Sequence, residues 1–163
     1  MAEKYMGPEA VLEKRKKYIM PCLGHFYSKP RQFVKGDMQY LYDSEGNKYL
    51  DCYAGVSVIN CGHCNPEITA RTLEQVKELQ HVCNIYLTEN VVRLAEKLAE
   101  VTPGNLQKSF FCSTGTEANE GAALLATIYT GSSEFLALRN GLHGRTKLTM
   151  SLTGIGMWRT DPN

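Results

Sequence analysis

A run of hydroxyl side chains around one glycine, from Ser113 to Thr116, precedes a segment of helical composition that begins at Glu117. The first turn of a helix has unpaired backbone N–H groups and lies at the positive end of the helix dipole, so it attracts anions. Gly115 would let an anion approach the backbone, and the flanking hydroxyls could complete its contacts. The pattern predicts a phosphate-binding loop. On spacing alone, an ordinary helix N-cap explains the same residues equally well.

A second polar loop, from Arg139 to Thr146, places His143, Gly144 and Arg145 in succession. The planar guanidinium of arginine binds carboxylates through two parallel hydrogen bonds, and imidazole suits proton transfer near neutral pH. Taken singly, the histidine and the arginine are more often structural or surface residues. Their shared loop makes them candidates for contacts with an anionic substrate.

The cysteine pair Cys61 and Cys64 encloses His63, a spacing found in dithiol redox motifs and zinc sites. In a thioredoxin-like motif the helix would start at the cysteines, whereas here it starts after the second cysteine, at Asn65 and Pro66. No second closely spaced ligand pair completes a four-ligand zinc site. A thiol-redox or zinc function through this pair is therefore a less favoured alternative, and we predict no metal site.

The spacing of apolar residues predicts helices over residues 8–19, 65–81, 89–101 and 117–129. Asn65 and Thr88 suit the N-cap positions of the second and third helices, and Pro103 follows the end of the third. Two aromatic-rich runs, residues 38–42 and 48–51, are separated by a glycine-containing turn and predict a β-hairpin.

Two short apolar runs, Lys108 to Cys112 and Glu134 to Leu138, are predicted to be buried strands. Strands that alternate with helices are typical of an α/β architecture with a parallel sheet, in which ligands bind at the carboxyl ends of the strands. Each of the two polar loops directly follows one of these runs. We therefore expect the two loops to share one site at one edge of the sheet.

The composition is that of a globular protein, with 163 residues, 43% of them hydrophobic and 21% charged. A net charge of +1 gives no indication of a nucleic-acid or anionic-membrane partner. No apolar run has the length of a membrane span or a signal-peptide core, so we predict a cytoplasmic protein whose six cysteines are reduced. Motifs of α/β-hydrolases, P-loop proteins and dinucleotide-binding proteins are absent from the sequence.

Four ordered segments of the chain together resemble the class III, or ω-type, pyridoxal-phosphate-dependent aminotransferases, the group of 4-aminobutyrate, ornithine and alanine–glyoxylate aminotransferases. The segments are Tyr40 to Asp51, Gly62 to Pro66, Thr114 to Glu120 and His143 to Thr146. The resemblance implies an incomplete fold-type-I, aspartate aminotransferase-like transferase of the α/β class. Residues 1–60 would form a small amino-terminal α+β segment, and residues 61–163 would begin the large cofactor domain.

The resemblance also implies roles for individual residues. Pyridoxal 5'-phosphate would be held by Thr114, Gly115, Thr116, Leu142, His143 and Gly144, and the substrate would meet Tyr53, Val56 and Arg145. The parent enzyme would move an amino group from an amine or amino acid to an oxo acid. In the family, cofactor and substrate contacts are shared across a homodimer interface.

Two departures from the family pattern limit the expected activity. Leu142 stands where relatives usually have an aromatic residue that stacks on the cofactor ring. The family's Schiff-base lysine and the aspartate that pairs with the pyridinium nitrogen lie beyond Asn163, and Lys147 follows Arg145 too closely to replace that lysine. We therefore predict no catalytic residue in this chain and no activity of the chain alone; a non-catalytic truncated subunit or partner is the alternative.

Overall fold

The computed structural model describes residues 4–160, and the chain divides into two compact units, Met1–Cys83 and Asn84–Asn163. The first unit contains helices and a small sheet, and the described part of the second contains helices joined by turns and irregular segments. In the first unit the elements are α1 (Pro8–Tyr18), β1 (Phe33–Asp37), β2 (Tyr40–Asp43), β3 (Lys48–Leu50), α2 (Ala54–Ser57) and α3 (Pro66–Glu78). In the second unit they are α4 (Glu89–Val101), α5 (Gly115–Thr130) and α6 (Lys147–Leu152).

The sheet of the first unit has the order β1-β2-β3, and both neighbouring pairs are antiparallel. The register pairs Tyr40 with Leu50 and Tyr42 with Lys48, which confirms the predicted hairpin and its turn. Strand β1 was absent from the sequence prediction. Its residues alternate between exposed and half-buried positions, but a glycine and two charged residues within the strand mask the apolar alternation that would have indicated it.

Asp43 organises the hairpin turn through four hydrogen bonds to its carboxylate. The backbone N–H groups of Glu45 and Asn47 donate to Oδ1 at 3.0 and 2.9 Å, and the Asn47 amide and the Tyr49 hydroxyl donate to Oδ2 at 3.0 and 2.8 Å. Burial alone would raise the pKa of Asp43, but these hydrogen bonds to the charged form outweigh it and lower the pKa to about 2.

Acid is therefore expected to weaken the hairpin through Asp43. Because its pKa is depressed on folding, the carboxylate stabilises the first unit above its ordinary pKa of 3.8, and this contribution is lost as the pH falls from 3.8 towards 2. A carboxyl-carbon NMR titration should place the Asp43 midpoint near pH 2, and Asp43→Asn should flatten the dependence of unfolding on pH in this window. A midpoint near 3.8 would contradict this reading.

The predicted helices are confirmed, with small differences at their ends. The side chain of Asn65 caps α3 by accepting hydrogen bonds from the N–H groups of Glu67 and Ile68. Thr88 occupies the N-cap position of α4, but the prediction that its side chain caps this helix is wrong, because it makes no capping hydrogen bond. Helix α5 begins two residues before the predicted start, so Thr114 is its N-cap.

The prediction that residues 108–112 and 134–138 form strands of a parallel sheet is wrong for this chain. Neither segment has regular secondary structure or pairs with another described segment, and the sheet that the described residues form is antiparallel. A strand requires a neighbour that accepts and donates its backbone hydrogen bonds, and apolar composition alone supplies none. The side chain of Phe110 is accordingly 87% exposed, and that of Leu136 is fully exposed.

Apolar surface is largely uncovered in the described part of the chain, where Ala123 on α5 is the single buried hydrophobic residue. The buried polar side chains are Asp43 in the first unit and Thr149 and Thr153 in the second. Among residues 4–160, no helix is both long and apolar enough to cross a lipid bilayer.

Candidate cofactor site

The start of α5 is fixed by a reciprocal capping box between Thr114 and Glu117. The backbone N–H of Glu117 donates to the Thr114 hydroxyl at 3.2 Å, and the Glu117 carboxylate accepts from the N–H groups of Ser113 and Thr114 at 2.9 and 3.1 Å. This arrangement satisfies two of the four N–H groups that a helix start leaves unpaired, those of Thr114 and Glu117. The N-cap interpretation of the hydroxyl run is therefore confirmed for Thr114.

The capping box leaves two donors of the first turn available. No described atom accepts a hydrogen bond from the backbone N–H of Gly115 or Thr116. A side chain at Gly115 would meet no atom within 4 Å, so the space beside this backbone is open. Cap and anion site are thus compatible, because the cap uses one set of N–H groups and an anion can use the other.

The loop of residues 139–146 lies against the first turns of α5, as the two-loop prediction required. Asn119 on α5 donates from its side-chain amide to the backbone carbonyl of His143 at 2.7 Å, and the Thr146 hydroxyl donates to the Glu120 carboxylate. Gly144 packs so closely on α5 that a Cβ there would lie 2.6 Å from the Thr116 hydroxyl oxygen. The two loops are therefore in contact, although the residues that the structure describes form no parallel sheet.

Two fully buried threonines, Thr149 in α6 and Thr153 at its C-cap position, hold the second loop in place. The Thr149 hydroxyl accepts from the N–H of Thr146 at 3.1 Å. The Thr153 hydroxyl accepts from the N–H of His143 at 3.1 Å and donates to the Thr149 carbonyl at 2.8 Å. The sequence interpretation missed this helix; the signal that could have indicated it is the cap-like Thr146 followed by apolar residues at Leu148 and Met150.

The remaining candidate side chains of this loop differ in exposure. Leu142 is half exposed, and Arg145 is exposed and makes no hydrogen bond or ion pair with any residue from 4 to 160. The Nε2 atom of His143 is buried without a hydrogen-bond partner among the described residues. A free guanidinium and an unsatisfied imidazole nitrogen are groups that a polar ligand can satisfy.

A matched pair of glycine substitutions tests the packing of the loop on α5. Gly144 has a φ of 146°, and an added Cβ would lie 2.6 Å from the hydroxyl oxygens of both Thr116 and Thr149. We expect Gly144→Ala to lower the free energy of unfolding by about 2 kcal/mol, from overpacking and an unfavourable φ. Urea unfolding followed by circular dichroism measures this.

Gly121 offers the control, since it lies inside α5 and an added Cβ meets nothing within 4 Å. Gly121→Ala should raise the free energy of unfolding by about 0.5–1 kcal/mol through helix propensity. Equal effects of the two alanine substitutions would show that the loop does not pack on α5 as described.

The two candidate substrate residues of the first unit are Tyr53, the N-cap residue of α2, and Val56, which lies within α2. Both side chains are exposed, at 68% and 65%. Tyr53 also lines a groove of about 830 Å³ together with Phe33, Tyr49 and His63. The arrangement leaves both side chains accessible to a ligand within the first unit.

The alternative functions of the cysteine pair find no support in the structure. None of the six cysteines forms a disulfide, and all six, including Cys61 and Cys64, are exposed. Within residues 4–160 no group of three or more histidine, cysteine, aspartate or glutamate side chains gathers in a way that could hold a metal ion. The His63 side chain instead makes a hydrogen bond with Asp51, with 2.6 Å between Nε2 and Oδ2.

Comparison with known families decides the class of protein. A family model described as aminotransferase class-III matches residues 26–160. The chain belongs to the class III aminotransferases. Members of this family use pyridoxal 5'-phosphate and exchange an amino group between an amino donor and an oxo acid. The predicted family and cofactor are confirmed.

Individual relatives agree with this class III assignment. The chain is 45% identical over 157 residues to alanine–glyoxylate aminotransferase 2 homolog 2, mitochondrial, of Arabidopsis thaliana, which covers 95% of the chain and 33% of the relative. A phospholyase from Arthrobacter in complex with phosphoethanolamine superimposes with a TM-score of 0.81 at 32% identity, over 89% of this chain and 34% of that one.

A third relative contains the cofactor. Taurine:2-oxoglutarate aminotransferase from Bifidobacterium kashiwanohense, in complex with PLP and glutamate, has a TM-score of 0.81 at 27% identity, over 94% of this chain and 35% of that one. These likenesses confirm the predicted fold, an incomplete fold-type-I transferase. The chain spans about a third of the length of the relatives it matches.

Proposed function

We propose that this class III chain forms the amino-terminal part of a PLP-dependent aminotransferase that moves an amino group from an amine or amino acid to an oxo acid. The observation that carries the proposal is the pair of unengaged N–H groups of Gly115 and Thr116 on the first turn of α5, beside the loop that α6 and α5 hold in place. When bound, the cofactor supplies an electron sink for cleaving bonds at the amino-bearing carbon.

The residues of this site would divide the work of binding. The N–H groups of Gly115 and Thr116 would donate to the cofactor phosphate, with the Thr116 hydroxyl beside them and Thr114 occupied by the cap. Leu142 would cover a face of the cofactor ring without aromatic stacking. The unsatisfied Nε2 of His143 would be a donor or acceptor towards a polar ligand atom, with Gly144 giving the close packing that orients it.

Each unit of the chain, taken by itself, offers candidate residues for substrate binding. The Arg145 guanidinium has no partner among residues 4–160, so it is available to bind a substrate carboxylate through two hydrogen bonds. Tyr53 and Val56 would contribute exposed apolar surface to the substrate side. Homodimerisation, the division at residues 60 and 61, and a cytoplasmic location belong to the same proposal, although the Arabidopsis relative carries the name mitochondrial.

Catalysis requires a lysine that this chain does not supply at the family position, so we expect the 163-residue chain to be inactive. Amino transfer should be measured with this chain and with a chain that extends past Asn163, each supplied with PLP, amino donors and oxo acids. The extended chain should transfer amino groups and, after borohydride reduction, carry a stoichiometric pyridoxyl-lysine. Full transamination by the 163-residue chain would contradict the proposal.

A second candidate reaction is suggested by one relative. The Arthrobacter protein is a phospholyase in complex with phosphoethanolamine, and it shares the fold of this chain at 32% identity. The extended chain should therefore also be given phosphoethanolamine, with release of inorganic phosphate as the readout. Phosphate release without amino transfer would assign the lyase reaction in place of the transferase.

A non-catalytic role is the remaining alternative, in which the chain docks on a longer subunit as a truncated partner. The extensive exposed apolar surface, such as Ile128 and Tyr129 on α5, supports association. Copurification with a longer class III chain would favour this role. A well-behaved monomer in sedimentation would exclude it.

A further inference from the structure

Residues 54–57, the short element α2, form a turn of left-handed backbone, which L-amino acids rarely adopt in succession. The φ angles are 48° for Ala54, 61° for Gly55, 65° for Val56 and 64° for Ser57. Left-handed geometry brings Cβ against the following carbonyl oxygen, and a β-branched residue such as Val56 is an outlier there. Strained backbone of this kind persists only where surrounding contacts hold it, and it clusters at ligand sites.

The contacts that hold this turn converge on the carboxylate of Asp51. Its Oδ1 atom accepts hydrogen bonds from the N–H groups of Tyr53 at 2.9 Å and Ala54 at 3.0 Å, at the entry to the turn. Its Oδ2 atom lies 2.6 Å from Nε2 of His63. The Asp51 side chain is only 9% exposed, so this carboxylate is fully engaged and largely shielded from water.

His63 is itself fixed against the sheet. Its backbone and that of Met38 exchange two hydrogen bonds, at 2.8 and 2.7 Å, in an isolated antiparallel bridge. Gly36 on β1 packs on the imidazole side, where an added Cβ would lie 2.6 Å from the His63 Cβ. Hairpin, histidine, carboxylate and turn therefore form one continuous chain of contacts.

We propose that Asp51 is a positioning residue which, braced by His63, holds residues 54–57 left-handed and so sets the direction in which Tyr53 and Val56 face the substrate. The last step of this proposal, the orientation of Tyr53 and Val56 towards a substrate, rests on the proposed function, because only the proposed function gives these two residues a substrate. The holding of the turn is a property of the chain itself and can be measured without cofactor.

Amide hydrogen exchange by NMR on this chain tests the holding step. The N–H groups of Val58 and Ile59 donate to the Ala54 carbonyl at 2.9 and 3.0 Å, so their protection reports the turn. Asp51→Ala should lower this protection about tenfold, because charge-assisted hydrogen bonds at its entry are lost. Thr69 in α3, whose N–H donates to the Asn65 carbonyl, is the control and should keep its protection.

Conservative variants keep the test decisive if Asp51→Ala unfolds the first unit. Asp51→Asn retains an oxygen for the N–H groups of Tyr53 and Ala54, and His63→Gln retains an amide nitrogen near the place of Nε2. Both should lose only about threefold in protection at Val58 and Ile59, less than Asp51→Ala or His63→Ala. Unchanged protection in Asp51→Ala would overturn the proposal.

Rescue by glycine separates the release of strain from a general loss of packing. Glycine adopts left-handed backbone without a Cβ penalty. In the Asp51→Ala background, Val56→Gly should therefore restore much of the protection at Val58 and Ile59. A further loss of protection would show that the left-handed backbone at Val56 is not strained. Asp51 would then not be holding the turn against the conformational preference of valine.

The functional step is tested in the extended chain by the kinetics of the amino donor. Asp51→Ala should raise donor KM by about fivefold or more at nearly unchanged kcat and PLP binding, because only the presentation of Tyr53 and Val56 changes. An unchanged donor KM would overturn the proposal that Asp51 positions Tyr53 and Val56 for substrate binding. An extended chain without transaminase activity would refute the proposed function instead, while the exchange results would still decide whether Asp51 holds the turn.

Discussion

Gly154→Ala is expected to destabilise the second unit by about 3 kcal/mol or more, the largest stability effect of any substitution considered. An added Cβ would lie 2.5 Å from the carbonyl carbon of Arg139 and closer still to its oxygen, and 2.8 Å from the carbonyl oxygen of Leu138. These are backbone atoms and cannot rotate away. The Gly154 N–H also donates to the Gly141 carbonyl at 3.0 Å. The clash can therefore be relieved only if the backbone around Gly154 moves away from residues 138–141 and this hydrogen bond is broken.

Urea unfolding followed by circular dichroism measures this effect, and Gly156→Ala is its control. An added Cβ at Gly156 would meet no atom within 4 Å, so this variant should unfold within about 0.5 kcal/mol of the wild type. The contact matters for the site because the segment from Leu138 to Gly141 leads directly into the loop with His143. Similar stability of the two variants would mean that this loop is not anchored by Gly154.

Gly115→Pro is expected to weaken binding of the cofactor phosphate by about tenfold or more, because it deletes one N–H donor to a charged oxygen. Helix α5 should survive the change. Proline suits the first helical position, and Thr114 before it is extended, with φ −143° and ψ 156°, as a residue before proline prefers. The chain itself begins α1 with Pro8 and α3 with Pro66.

Gly115→Ala is the matched control, since it keeps the N–H and adds a Cβ that meets no protein atom within 4 Å. Its helical content should equal that of Gly115→Pro by circular dichroism, while its affinity for the cofactor should fall much less. Equal affinities of the proline and alanine variants would argue against a hydrogen bond from this N–H.

Features set by neighbouring residues were predictable from the sequence. The cap at Thr114 depends on a hydroxyl and a glutamate three residues apart, and the hairpin turn depends on Asp43 and the residues that follow it. Both are local patterns with a direct physical cause. The meeting of the two polar loops was also predicted, although from a parallel sheet that residues 4–160 do not form.

Features that depend on distant partners were not predictable. The runs at residues 108–112 and 134–138 have strand composition, but pairing requires neighbours that no property of the runs specifies. The support of the loop by Thr149 and Thr153 depends on tertiary burial of two hydroxyls that resemble surface residues in the sequence. The left-handed turn likewise depends on Asp51 and His63, twelve positions apart.

The most direct test of the phosphate anchor at Gly115 and Thr116 compares binding of pyridoxamine 5'-phosphate and pyridoxamine to this chain by equilibrium dialysis. Neither compound has an aldehyde, so neither reacts with surface lysines. The phosphorylated compound should bind about tenfold or more tightly than pyridoxamine, and Gly115→Pro should remove most of that difference. Equal affinity for the two compounds, or a preference that Gly115→Pro leaves intact, would contradict the assignment of this helix start as the phosphate site.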